Sequence, residues 1–133
     1  LPVKTKKLIK TERYFHYYVL HDAEYIYIKQ RTKQDIWKGL FEFPIEESDN
    51  SLWTTDKSLF LKEINLQSNV VYYETYKQTL THQLIRAHFY EFKLKKLPNL
   101  DISYQKIKKI SILNYAFPKI VRSYLEDKLN SLT

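Results

Sequence analysis

Along most of this chain hydrophobic and polar residues alternate with a period near two, and the period lengthens only towards its end. Arg13 to Leu20 is dense in aromatic and β-branched residues, which suit a pleated, half-buried surface and predict a strand. His21 to Glu24 is short and polar, as a hairpin turn should be. Tyr25 to Gln30 then alternates, with Ile26 and Ile28 on one face and Tyr25, Tyr27 and Lys29 on the other. The two runs predict a β-hairpin. Leu40, Phe41 and Phe43 suggest a further strand, which Pro44 ends or confines to a sheet edge. Glu46 to Ser51 reads as an acidic surface loop. Thr55 or Asp56 is expected to cap a short helix reaching Leu66, with Phe60 and Ile64 one turn apart.

The second half repeats the scheme. Asn69 to Tyr76, centred on Val70 to Tyr73, predicts a strand, and Lys77 to Gln83 a polar connection. From Leu84 to Leu94 the residues Ile85, Ala87 and Phe89 alternate with Arg86, His88 and Tyr90. This predicts a strand, with a helix as the competing reading. Lys95 to Asn99 is a turn, and Gln105 to Ile110 a short edge strand. Ser111 can cap a first turn. Pro118 suits the first position of a helix in which Ile120, Val121, Tyr124, Leu125 and Leu129 recur at helical spacing. Strands, short helix, strands, helix make an α+β domain, with helices packed on a mixed or largely antiparallel sheet.

Composition narrows the chemistry. At 133 residues and 44% hydrophobic, the chain suits one domain with a real core, and disorder is excluded as its general state. No apolar run is long enough for a bilayer, and no signal-peptide core opens the chain, so a soluble protein with no membrane partner is expected. With no cysteine there is no disulfide, thiolate nucleophile or iron–sulfur ligand. Methionine is absent even at position 1, so a fragment or processed product is expected, with residues 1–12 as a basic lead-in and 13–133 as the domain. The formal charge of +7 attracts polyanions, nucleic acid among them. Twelve tyrosines suit both strand surfaces and base stacking. The only glycine, Gly39, is expected where the backbone needs a positive φ or a close approach. His16, His21, His82 and His88 show no metal-ligand spacing.

An ordered set of motifs then carries a family resemblance. Tyr17 to Leu20, Asp35-Ile36-Trp37-Lys38-Gly39-Leu40-Phe41-Glu42-Phe43-Pro44, Leu80-Thr81-His82-Gln83 and Tyr115-Ala116-Phe117-Pro118-Lys119 resemble the C-terminal domain of MutY-type A/G-specific adenine DNA glycosylases. The match runs from about Arg13 to Leu129. It implies a Nudix-like mixed sheet with packed helices, and a role in recognising 8-oxoguanine or guanine mispaired with adenine in double-stranded DNA. A separate N-terminal catalytic domain, a partner within the same protein, would flip and excise the adenine in base-excision repair. In this family that other domain carries the catalytic carboxylates and the 4Fe-4S cluster. No cofactor, metal or catalytic residue is therefore expected in this chain. A bacterial, cytoplasmic and nucleoid-associated protein is implied.

The same resemblance assigns the site. The family's recognition loop reads Phe-Ser-His, and here the matching residues are Leu80, Thr81 and His82, followed by Gln83. Oxidation turns guanine N7 from an acceptor into an N–H donor and adds an oxygen at C8. A hydroxyl such as that of Thr81 can answer either group. Leu80 keeps an apolar wedge but loses a stacking face, worth about 1–3 kcal/mol per base. His82 can donate to a phosphate or brace the loop. Lys77 and Arg86 are candidate phosphate contacts. Trp37, Gly39, Tyr115, Phe117 and Pro118 are read as structural.

Two other function classes compete. An active Nudix hydrolase needs Gly-x5-Glu-x7-Arg-Glu-x2-Glu-Glu-x-Gly to hold magnesium. Counted from Gly39, Ile45 stands at the first glutamate and Trp53-Thr54 at the Arg-Glu pair, with no second glycine. A protein-interaction module, docking through the aromatic sheet, is the stronger alternative.

Overall fold

The computed structural model describes residues 10–50 and 52–132, and for 129–132 the backbone alone. The basic lead-in before Lys10, and the side chain of Leu129, lie outside the described residues. Thr11 and Glu12, read from sequence as lead-in, already belong to the first strand.

Strand β1 (Thr11–His21) is the spine. It runs parallel to β6 (Gln83–Lys93) over its full length, from Thr11 opposite Gln83 to His21 opposite Lys93. β5 (Tyr72–Thr79) lies antiparallel on the far side of β6. On β1's other flank, β4 (Ile45–Ser48) pairs antiparallel with Tyr14 to Tyr17. β2 (Tyr25–Gln30) touches β1 only at His21 opposite Ile26. It pairs instead with β7 (Gln105–Lys108) and with the short β3 (Phe41–Glu42). The expected hairpin is therefore a true turn between strands that part at once. Asp22 holds the turn by accepting the N–H groups of Glu24 and Tyr25.

Alternation sends the strand side chains to two faces. Phe15, Tyr17, Val19, Ile85, Ala87 and Phe89 point to the face covered by α2 (Lys119–Leu132), where Tyr124 lies flat on Phe89 at 4.2 Å between ring centres. Tyr18, Leu20, Tyr90 and Phe92 point to the opposite face, beneath the short α1 (Leu59–Glu63) and its buried Leu61. Each fully buried side chain of this size contributes about 1.5–3 kcal/mol. Helix α2 starts just after Pro118, whose carbonyl accepts the N–H of Arg122 at 2.9 Å, and the side chain of Gln78 accepts the N–H of Ile120 at 3.2 Å. The mixed sheet with packed helices agrees with the α+β expectation.

Several local expectations change: α1 ends at Glu63 rather than Leu66, Val70 and Val71 precede β5, β7 ends at Lys108, and Ser111 lies inside a 3-10 turn (Lys109–Asn114). The acidic stretch from Glu46 holds a strand, because its backbone completes β1's free flank. The cap of α1 is Ser58, whose Oγ accepts the N–H of Leu61 at 2.9 Å, rather than Thr55 or Asp56, which sit in a separate 3-10 turn. Strand β5 continues to Thr79, so Lys77 is a strand residue and the polar connection shrinks to a tight turn. Gly39 has φ of +89°, as its position requires, and its N–H donates to Arg31 O at 2.7 Å.

Candidate nucleic-acid interface

The four residues singled out in sequence form one end of the β5–β6 hairpin. Leu80 and Gln83 close it, with Leu80 N–H donating to Gln83 O at 2.7 Å, and Thr81 and His82 make the tip. Two-residue hairpin loops favour turns with positive φ, because their twist matches that of the strands. Among the described residues only Trp37 and Asn65 are non-glycine residues with positive φ, so this turn is of another kind. It is held from outside. Lys10 Nζ donates to Leu80 O at 2.6 Å and to Thr81 O at 3.0 Å, and Thr11 N–H donates to His82 O at 3.1 Å. Parallel pairing of β1 with β6 brings these groups together.

The side chains divide by task. Leu80 is half-buried and packs against the α2-face core. Gln83 Oε1 accepts from Arg13 Nη1 at 3.1 Å. Thr81 and His82 are exposed, and among the described residues neither side chain makes a hydrogen bond. The tip therefore offers a hydroxyl and an imidazole on a fixed backbone.

Behind the tip, Lys77 and Arg86 stand opposite each other on β5 and β6, on one face. Arg86 Nε donates to Glu12 Oε1 at 2.9 Å, and this contact lowers the Glu12 carboxyl below its ordinary range. On the other face Arg13 forms paired bonds of 2.8 Å with Asp35 and bonds of 2.9 and 2.8 Å with Glu47. The guanidinium bond holds the Asp35 carboxyl at about 2. Arg31 joins Asp35 to Glu42, each at 2.8 Å. Burial raises the Glu42 carboxyl, and Arg31 works against that rise.

This second cluster borders a groove of about 410 Å³, lined in part by Lys29, Arg31, Glu42, Ile45 and Glu47. Its carboxylates are turned to guanidinium groups rather than to a common point. Among the described residues no group of three or more histidine or acidic side chains is arranged to hold a metal ion. Helix α1 carries a single carboxylate, Glu63.

The structure thus unites the loop residues and places Lys77 and Arg86 on one face behind them. Sequence reading missed Lys10 and Arg13, which set the tip's backbone and brace Gln83. No local signal marks them, since they meet partners 70 residues away. Among the described residues no helix is long and apolar enough to cross a membrane.

Comparison with known proteins adds the wider relation. The profile of the NUDIX domain family matches residues 16–127. No curated protein sequence matches the chain. Among solved structures, the C-terminal domain of mouse MUTYH, in complex with human PCNA, is similar at a TM-score of 0.66 and 15% identity, over 90% of this chain and 88% of that one. The MutT protein of Methanosarcina mazei Go1 gives 0.62 and 17%, over 92% and 96%. A bifunctional NMN adenylyltransferase/ADP ribose pyrophosphatase of Francisella tularensis, complexed with AMP and a manganese ion, gives 0.68 and 10%, over 94% and 43%. Identities this low speak for the shared fold.

Proposed function

The chain belongs to the NUDIX domain family, and from that premise we propose that it is a DNA-reading domain of the MutY type rather than a hydrolase. It would recognise 8-oxoguanine or guanine opposite adenine in double-stranded DNA, while a separate catalytic domain excises the adenine. The observation that carries this reading is the hairpin tip, which holds the exposed hydroxyl of Thr81 and imidazole of His82 on a backbone fixed by Lys10 and Thr11. A recognition group held in place before contact spends less binding free energy on ordering. Thr81 can accept from the N7–H of 8-oxoguanine or donate to its O8, and His82 can donate to a neighbouring phosphate. Lys77 and Arg86 then supply the sequence-blind attraction, in a chain of net charge +7. The likeness in fold to the mouse MUTYH domain supports the same reading.

The residues present do not fit the divalent-cation site of a Nudix hydrolase. Asp35, Glu42 and Glu47 answer arginines, and α1 brings one carboxylate where the hydrolase signature needs several. Docking of another protein is the second reading. It is favoured by the exposed Ile102 and Ile110 near β7 and by the mouse domain's complex with PCNA.

Competition binding at low salt tests the proposal, with duplexes carrying 8-oxoguanine:adenine, guanine:adenine and guanine:cytosine. The wild-type chain should prefer the oxidised lesion, and Thr81→Ala should abolish that preference without changing thermal stability. Equal, salt-sensitive binding to all three duplexes by both proteins would refute lesion reading by the tip.

A further inference from the structure

A row of near-parallel rings crosses the α1 face of the sheet and ends at the open edge of β5. Trp53 lies on His16 at 3.8 Å between ring centres, His16 is 5.0 Å from His88, and His88 is 5.9 Å from Tyr73. The angles between successive planes are 22°, 14° and 6°. His16 is buried, whereas Tyr73 at the other end is 50% exposed. The order follows from register, since His16 pairs with His88 and His88 with Thr75, which leaves Tyr73 diagonal to it on the last strand.

The outer ring is fixed. Tyr73 Oη lies 2.8 Å from His88 Nδ1, and Thr75 Oγ1 donates to Tyr73 Oη at 2.9 Å. Burial, reinforced by neighbouring His88, takes the His16 imidazole down to about 3, and burial with the charge of Arg86 lowers His88. The row is thus an uncharged stacking surface near neutral pH. Its cations lie beside it: Arg86, itself bonded to Glu12, and Lys77 stand opposite each other on the same face, one rung from His88 and two from Tyr73 towards the hairpin tip. Two residues of strand separate the rungs by about 7 Å.

We propose that this face is a binding site for single-stranded DNA, in which an unpaired base stacks on Tyr73 and the adjoining phosphates meet Lys77 and Arg86. An aromatic face accepts any base, so binding at this site is indifferent to sequence. A base inside a duplex already has stacking partners on both sides and cannot use Tyr73. The stacking surface therefore differs from the hairpin tip in ligand, and the two share the cations Lys77 and Arg86. The choice of DNA over RNA rests on the function proposed above; the stacking and charge do not.

Fluorescence anisotropy with the whole chain tests it, using a labelled thymidine strand of about ten nucleotides, within the range one such surface covers. Tyr73→Ala should weaken binding about 5- to 150-fold, the equivalent of one lost base stack, and Tyr73→Phe should restore most of it. Lys77→Gln should lower the salt slope by about 0.7, as one lost phosphate contact does on a single strand. On the wild-type protein, an abasic strand of equal length should bind as weakly as the thymidine strand binds Tyr73→Ala. Equal affinity for the abasic and thymidine strands, or no effect of Tyr73→Ala, would overturn the site. An RNA strand bound more tightly than DNA would overturn the choice of polymer. Lesion preference is read on duplexes with Thr81→Ala, and this site on the thymidine and abasic strands with Tyr73→Ala, so failure here and failure of lesion reading at the tip are separately visible.

Discussion

The two faces of the sheet are made by the same strands and differ in what lies on them. Among the described residues, sixteen buried ones form one cluster on the α2 face, from Phe15 across Phe89 to Leu125. On the α1 face the corresponding cluster of described residues holds seven. Helix length explains the difference. The fourteen residues of α2 extend about 21 Å, whereas the five of α1 extend about 7.5 Å along strands of about 36 Å. Helix α1 covers Tyr18 and Phe92, and the sheet towards the hairpin tip stays open, with Tyr73, Thr75 and Lys77 exposed. Strand alternation divides the side chains equally between the faces. The helix laid on each face decides whether they become core or open surface.

Removing a ring from the covered face should have the largest effect. Phe89 is 1% exposed and stacked against Tyr124, and Phe89→Ala should cost about 3–5 kcal/mol in urea denaturation. A loss below about 1 kcal/mol would mean that the α2 face is not the tightly packed one. On the thinner face, Ser58→Ala removes the cap of α1 and should cost about 1 kcal/mol. Ser58 also donates to Glu46 at 2.5 Å, and Glu46 Oε2 accepts the N–H of Phe60 at 3.1 Å, so a loss indistinguishable from zero would show that Glu46 and Leu61 hold α1 without the cap.

The smallest effect belongs to the rim of the α2 face. The Arg13 bond lowers the Asp35 carboxyl to about 2, aided by the Ile36 N–H and by the charges of Arg13 and Arg31. A carboxyl lowered by folding adds stability that is complete above the ordinary carboxylate range and lost as pH falls towards 2. Glu47 and Glu42 face the same guanidinium groups. Because Asp35 is partly exposed, Asp35→Asn should cost about 0–1 kcal/mol at neutral pH. It should also flatten the acid limb of thermal stability, and an acid limb identical to wild type would rule the pair out as a contributor.

Much of this was legible in the chain. The alternation in Tyr25 to Gln30 and in Leu84 to Leu94 predicted strands with the correct faces, and the spacing from Ile120 to Leu125 predicted α2. Gly39 marked its own positive φ. These are local properties: side-chain direction repeats every two residues in a strand and every 3.6 in a helix, wherever the element packs. The family resemblance likewise picked out Leu80 to Gln83 as a unit, and they do form one turn. Strand β4 was not legible, because its acidic residues are recruited by the free flank of β1 rather than by their own propensity.

What only the tertiary structure decided is which distant residues became neighbours. Sequence could place Lys10 and Arg13 near the start of a strand, but not beneath a turn 70 residues on. It could count aromatic residues, but not align Trp53, His16, His88 and Tyr73 into one row. Both depend on the parallel register of β1 and β6, which no turn dictates because no short loop joins parallel strands. That register is fixed by burial: a shift of one residue would turn Phe15, Tyr17, Ile85 and Phe89 out of the core. The chain specifies its elements residue by residue, and the packing of the whole sheet specifies where their side chains meet.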